Sequence, residues 1–343
     1  MTSTTVSSAP NGNPPGPVSP TRGRTTGRIA LVILSRYGTL IGLGLMLILF
    51  TVRAPTVFPT LQNFTNIIAQ GSLTAIIAAG LTMALVVGEF DLSIGYAASF
   101  AGLLVVGFMA LQGMPIWVAI PLMLIIGGVI GAVNGFLVTK VRINAVIATL
   151  GVGTILIGLG FAYSPFPIVT NIPPEFSNIS LGRLIPGIPN SIPIMVIVLA
   201  LLWVILNKTD LGQKMQAVGA NKEAARLSGI RVDRVKIFAF VTAGVCAALT
   251  GVMLSSLLGS GTLAAADGYL LDAFAAVFLG SATLRDGEFH IVGTLVGVLI
   301  IAVGFNGLSI FGAPSWAQQV FSGGILILAV GLSTLSRRIL KAS

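Results

Sequence analysis

Two residue types are nearly missing from this 343-residue chain, which has one cysteine and one histidine. Cys246 alone can build neither a disulfide framework nor a thiol-pair metal site; it lies inside an apolar run, where packing is its expected role. His290 is the sole imidazole, so a zinc or iron site made of soft ligands is excluded. Charge is scarce too, at 8% of residues with only 10 acids. No pair of acids with an orienting partner and no Ser/His/Asp constellation can be assembled from so few groups, which argues against a membrane hydrolase or transferase. No Walker A pattern is present, so ATP is not expected to bind by that route. The chain is therefore read as not an enzyme, with no metal and no cofactor of its own.

What is abundant is hydrocarbon and glycine: 55% of residues are hydrophobic, 42 are Gly, and the mean hydropathy is +0.99. These values belong to an all-α integral membrane protein. A membrane helix needs about 20 apolar residues, so roughly ten fit into this length. Ten apolar runs are legible, at about 37–52, 66–87, a third ending near 111, 116–138, a fifth ending near 163, 193–206, 237–258, 270–284, 291–310 and 316–335. The eighth is short. Gly127, Gly131 and Gly135 recur every fourth position, and Gly293 and Gly297 repeat that spacing; in lipid such stripes let helix backbones approach, so they are expected packing seams.

Residues 1–28 are Ser, Thr, Pro, Gly and Asn with a few arginines and are expected to be a disordered tail, not a signal peptide. Residues 29–338 form the expected membrane domain, with a short C-terminal tail at 339–343. With the N-terminus placed inside, seventeen of the 19 basic residues fall on the cytoplasmic side, and only Arg53 and Arg183 fall outside. That asymmetry predicts an even number of spans with both termini cytoplasmic. The net charge of +9 thus tracks topology and gives no reason to expect nucleic acid as a partner.

Most of the charge is gathered in one island at 207–236. Inside it, Asn221-Lys-Glu-Ala-Ala-Arg-Leu-Ser-Gly-Ile230 reads as a short helix with marked ends: Asn221 caps it, Glu223 lies at the positive end of its dipole, and Gly229 takes the left-handed stop. A helix of about two turns is marginal alone in water and needs support. Two readings stay open here, a solvated loop that sets topology and a docking element for a soluble partner.

Elsewhere the polar residues are few. Glu89 and Asp91 stand between the second and third runs, either at membrane depth, where acids are costly and functional, or as surface turn residues with Ser93 as a helix cap. Asp272 begins the short eighth run just after Asp267 and Gly268. Asn134 and Asn306 each precede a glycine and serve either as glue between helices or as hydrogen-bonding groups on a solute path.

Four stretches together resemble the permease subunits of bacterial ABC importers for ribose, xylose, arabinose and related monosaccharides or polyols. They are Gly88-Glu-Phe-Asp-Leu-Ser-Ile-Gly95, Asn134-Gly-Phe-Leu-Val-Thr-Lys140 with Ile147-Ala-Thr-Leu-Gly151, Ala217-Val-Gly-Ala-Asn-Lys-Glu-Ala-Ala-Arg-Leu-Ser-Gly-Ile230, and Leu271-Asp-Ala-Phe-Ala-Ala-Val-Phe-Leu-Gly280. The resemblance runs in order from about residue 37 to 338. It implies a multi-pass protein of the bacterial cytoplasmic (inner) membrane and a coupling helix seated in a separate cytoplasmic ABC ATPase that binds the ATP. It also implies a second permease copy or paralogue with the path between the two, and a periplasmic or lipid-anchored sugar-binding protein. On this reading Asn221, Glu223, Ala224, Ala225, Arg226 and Gly229 contact the ATPase, and Asp91, Ser93, Asn134, Thr149 and Asn306 are candidates for the path of a neutral, hydroxyl-rich solute. The departures are Glu89, Ala220, Ser281, Asp286 and Phe289, where the family usually has Gly. A proton-coupled secondary transporter using Asp91 or Asp272 is the alternative expectation, and a membrane-embedded enzyme the more distant one.

Overall fold

In the computed structural model, residues 23–281 and 287–341 are described, with side chains from 38 to 281 and 287 to 331. The described residues form α-helices joined by turns, one π turn and one 3-10 helix. The helices are α1 (Gly23–Arg53), α2 (Leu61–Val86), α3 (Ile94–Ala110), α4 (Ile116–Phe136), α5 (Ala145–Tyr163), α6 (Ser191–Lys208), α7 (Asp210–Ala220), α8 (Lys222–Leu227), α9 (Val232–Leu258), α10 (Asp267–Ser281), α11 (Ile291–Ile310) and α12 (Ser315–Lys341). Each apolar run has its helix, and the charged island adds two short ones, α7 and α8. Six helices are long and apolar enough to cross a membrane: α2, α4 with its π turn, α5, α6, α9 and α11. The apolar parts of α1, α3 and α12 are shorter. Helix α1 begins at Gly23, within the stretch 1–28, and α12 continues to Lys341. Residues 1–22 lie outside the described residues, as do 282–286, with Asp286 among them.

Helix α2 is the hub. It is buried from Gly71 to Val86 without a break, because α9 covers one side and α10, α11 and α6 the others. The glycine stripes do what their spacing predicts. Gly127 and Gly131 of α4 lie against the Gly244 and Phe240 carbonyls of α9, leaving no space for a Cβ. Gly293 and Gly297 of α11 meet Gly280 and Ala276 of α10 in the same way. Without a hydrophobic force between helices in lipid, this backbone contact is what holds them. Cys246 is buried beneath Gly80, a packing position as expected.

One connection departs from a simple up-and-down bundle. Helix α9 has 27 residues, about 40 Å of rise at 1.5 Å per residue, enough to run from the charged end to the far end. Its successor does not start there. Residues 259–266 turn back along α3: Gly261 lies 3.2 Å from Leu103 Cα by its would-be Cβ, and Ala266 N–H donates to Ser99 Oγ at 3.0 Å. Helix α10 therefore begins well inside the bundle. Its 15 residues rise about 22 Å, less than the roughly 30 Å of a bilayer core.

Candidate functional site

At the charged end, α7 and α8 form a small shelf. Thr209 caps α7 by accepting from Gly212 N–H at 3.2 Å, and α7 folds back against α6, where Gln216 donates to the Leu206 carbonyl. Gly219 of α7 sits directly under the Val86 carbonyl that ends α2, so no side chain fits there. Asn221 caps α8 as predicted, its Oδ1 accepting from Glu223 N–H at 3.1 Å and Ala224 N–H at 3.0 Å. Glu223 lies in the first turn and Gly229 stops the segment at φ 81°, a conformation that costs glycine nothing.

The outward face of α8 carries Asn221, Lys222, Glu223, Ala224 and Arg226. Ala225 does not belong to it. This residue is 4% exposed and packs into the bundle's own core beneath the helix. The outward apolar group is Leu227, 89% exposed, which the sequence reading passed over.

Beside α8 opens a cleft of about 390 Å³ whose charged lining is Glu89, Arg142, Lys222, Arg226, Asp233 and Lys236. Lys140 donates to Asp233 at 2.8 Å across its rim. Deeper in, Lys236 of α9 pairs with Glu89 of the α2–α3 connection, and both side chains are largely buried. The glutamate that departs from the resembled pattern has thus acquired a partner on the neighbouring helix.

Just beyond Glu89, four of the five path candidates meet. Asp91 Oδ1 accepts from Ser93 N–H at 2.9 Å and Ser93 Oγ–H at 2.6 Å, and Asn134 of α4 donates to Ser93 Oγ at 2.7 Å. Thr149 of α5 accepts from Leu92 N–H at 3.0 Å while donating to the Ala145 carbonyl. Asp91, Ser93, Asn134 and Thr149 are each at most 1% exposed, so in this conformation they face one another and not an open passage. Asp91 is no solvated turn residue. Ser93 stands at the N-cap of α3 but does not cap with its hydroxyl, which is committed to Asp91. Asp91 Oδ2 and Asn134 Oδ1 accept no hydrogen bond among the described residues. The knot fastens the α2–α3 connection to α4 and α5 at once.

Residues 63–330 match the profile of a family described as the permease component of branched-chain amino acid transport systems. The chain belongs to this family of permease components. It is 38% identical over 299 residues to the ribose import permease of Bacillus subtilis, covering 87% of this chain and 92% of that one. The ribose import permease of Escherichia coli is 36% identical over 296 residues, 85% of this chain and 91% of its own. The D-allose transport system permease of Escherichia coli is 32% identical over 300 residues, 88% and 92% of the two chains. No solved structure matches. The permease is a multi-pass membrane transport protein and not an enzyme.

The fifth path candidate is elsewhere in the permease. Asn306 of α11 exchanges two hydrogen bonds with Asn63 of α2, at 3.1 and 2.9 Å, beside the buried Phe58. It acts as glue between two helices. Thr82 and Thr294 bond across the same helix pair at 2.7 Å, nearer the charged end. Asp272, a proton site in the alternative expectation, accepts from Ser322 of α12 and so ties α10 to its neighbour. Neither contact has a mark in the sequence, because the partners lie 212 and 50 residues apart.

Proposed function

We propose that this permease is the membrane subunit of an ATP-driven ABC importer for a small neutral monosaccharide or polyol. The observation that carries the reading is the agreement over most of the chain with relatives named for ribose and allose import, on a bundle whose charged end presents a capped, supported helix. The helix bundle spans the bacterial inner membrane with both termini in the cytoplasm, α10 starting from mid-depth, and the charged end is the cytoplasmic end. There α8 docks an ABC ATPase through Leu227 and its outward polar residues. A second permease copy or paralogue completes the path, and a periplasmic or lipid-anchored sugar-binding protein delivers the solute to the far end.

The family description names branched-chain amino acids, but the charge pattern favours a neutral cargo. A zwitterion needs opposite charges on its way, and no Lys or Arg lies in the central part of α2, α4, α5, α6, α9 or α11, the helices long and apolar enough to cross a membrane. Hydroxyls ask only for hydrogen-bonding groups and aromatic surfaces. Asp91 and Asp272 are tied into structural contacts, which supports ATP over a proton gradient as the energy source. The test is uptake of labelled D-ribose and D-allose, with leucine alongside, in cells expressing the full operon-encoded complex. Uptake of a sugar should stop when ATP is depleted and continue when a protonophore is added at constant ATP. Loss of uptake on collapsing the gradient alone would overturn the reading.

A further inference from the structure

The backward turn at 259–266 leaves a second cavity, of about 170 Å³, lined by Gly95 and Tyr96 of α3 and by Asp267 and Leu270 of α10. Its depth can be read from neighbours. The Tyr96 ring packs on Gly153, the middle of α5, which is a helix long and apolar enough to cross the membrane. Gly95 lies against Leu270 in the first turn of α10, its would-be Cβ 3.2 Å from the Leu270 Cβ. The cavity thus sits about half-way between the two ends of the bundle, where α10 begins.

Asp267 is exposed there. Its carboxylate makes no hydrogen bond and no ion pair among the described residues, unlike Asp91, Asp233 and Asp272, each of which has a partner. A carboxylate at mid-depth is costly against lipid, so the face bearing it must be wet in the assembled transporter. In secondary transporters, helices interrupted at the membrane midplane line the cargo site, and the mid-depth start of α10 is the same kind of feature. Around the acid the surface is aromatic and small: Tyr96 is beside it, and Leu271 one turn along α10 is 53% exposed.

We propose that Asp267 and Tyr96 form a recognition point for a sugar in the translocation path. The Asp267 carboxylate accepts hydrogen bonds from hydroxyls of the passing ring, and the Tyr96 ring offers a flat face to its C–H edge. The cavity has room for about five waters at roughly 30 Å³ each, which the hydroxyls replace. A neutral cargo suits a lone acid, since among the described residues no basic side chain lines the cavity. This assignment rests on the sugar-importer reading above and names the contact that reading lacks, because the buried Asp91 knot cannot meet a solute without coming apart.

The experiment uses the complete complex of permease, ATPase and binding protein in proteoliposomes. ATP-dependent uptake of D-ribose and D-allose is measured beside ATP hydrolysis for wild type, Asp267→Asn, Asp267→Leu and Tyr96→Phe. Losing hydrogen bonds to a charged acceptor weakens an interaction by about tenfold or more. Asp267→Leu should therefore lower uptake about tenfold or more, and Asp267→Asn by less, while hydrolysis, assembly and thermal stability stay at the wild-type level. Tyr96→Phe, which keeps the ring, should retain most uptake. Uptake by Asp267→Leu within twofold of wild type would overturn the proposal. So would loss of the second permease copy from the purified variant, which would make Asp267 an assembly contact. A wild-type complex that moves leucine and no sugar would overturn the importer reading itself, and that result is visible before any variant is made.

Discussion

The pair between Glu89 and Lys236 allows a quantitative test of how the charged end is held. The two side chains are 16% and 8% exposed, so each charge is largely removed from water. Removing one partner of such a pair leaves the other uncompensated, a loss of about 3–5 kcal/mol in buried examples. Glu89 borders the open cleft, so the lower figure applies. Lys236→Met should thus cost about 3 kcal/mol, a shift of about a hundredfold in the unfolding equilibrium. Glu89→Met should cost less. Lys236 has a long flexible stem, and Asp233 lies three residues back on the same helix and lines the same cleft, so the ammonium can be re-paired.

Replacing both by methionine removes the desolvated charges together, and exchanges of this kind are close to neutral. The assay is reversible unfolding of the purified permease in mixed micelles by SDS titration, read by tryptophan fluorescence, for the wild type, both single variants and the double variant. The cycle should give a coupling of about 2 kcal/mol or more, with the double variant more stable than Lys236→Met. If the two single losses simply add, the pair contributes nothing and the reasoning from burial is refuted.

Four shorter tests follow. Leu227→Asp should abolish co-purification of the ATPase while the permease still inserts and remains stable; retention of the ATPase would show that α8 does not dock through this residue. Ala225→Arg, by contrast, should destabilise the permease itself by several kcal/mol, because it forces an unpaired charge into a buried position; normal thermal stability of that variant would contradict the inward placement. In a Cys246→Ala background, a cysteine at Lys222 should react only with reagents from the cytoplasmic side and one at Arg183 only from outside, and the reverse labelling would invert the orientation. Gly131→Val should weaken the α4–α9 seam by about 1–3 kcal/mol or more, since its Cβ would meet the Phe240 carbonyl; an unchanged unfolding midpoint would show that the seam can open freely.

The positions of the helices were legible because hydropathy and length are one-dimensional signals, and the glycine stripes because contact at every fourth residue follows from helical pitch. Caps at Asn221 and Gly229 were legible for the same reason: their partners lie within three residues. What stayed hidden depends on distance along the chain. The Asp91 knot joins residues from three elements, 41 and 57 positions apart, so nothing local distinguishes Asn134 of the knot from Asn306 of the glue pair. Ala225 and Leu227 sit in a six-residue helix, too short for a periodic face to be read. The re-entrant 259–266 has no hydropathy signature at all. Its one trace is that the eighth run is short and begins beside an acid, which marks Asp267 only once a reader asks why a membrane helix would start so late.

These contacts set a short route between the α7–α8 shelf and mid-depth. Gly219 presses on the Val86 carbonyl, and the chain from Val86 reaches Tyr96 in only ten residues. Within them, Glu89 is tied to α9, Leu92 to α5 and Ser93 to α4. A push on α8 that moves α7 must therefore move the end of α2 or break a close contact with no side chain to yield. The α2–α3 connection cannot absorb the displacement by flexing, because Glu89, Leu92 and Ser93 are all bound to neighbouring helices. The motion is passed on to α3, whose first turn carries Gly95 and Tyr96 against the start of α10. Loosening the knot should consequently uncouple hydrolysis from transport without unseating the ATPase. Asn134→Ala removes the donor that Asn134 supplies to Ser93 Oγ and spares every residue of α8. It should keep the complex intact and ATP hydrolysis within about twofold of wild type, while sugar moved per ATP falls several-fold. A variant that lost hydrolysis and uptake in equal proportion would place the knot's role in folding alone.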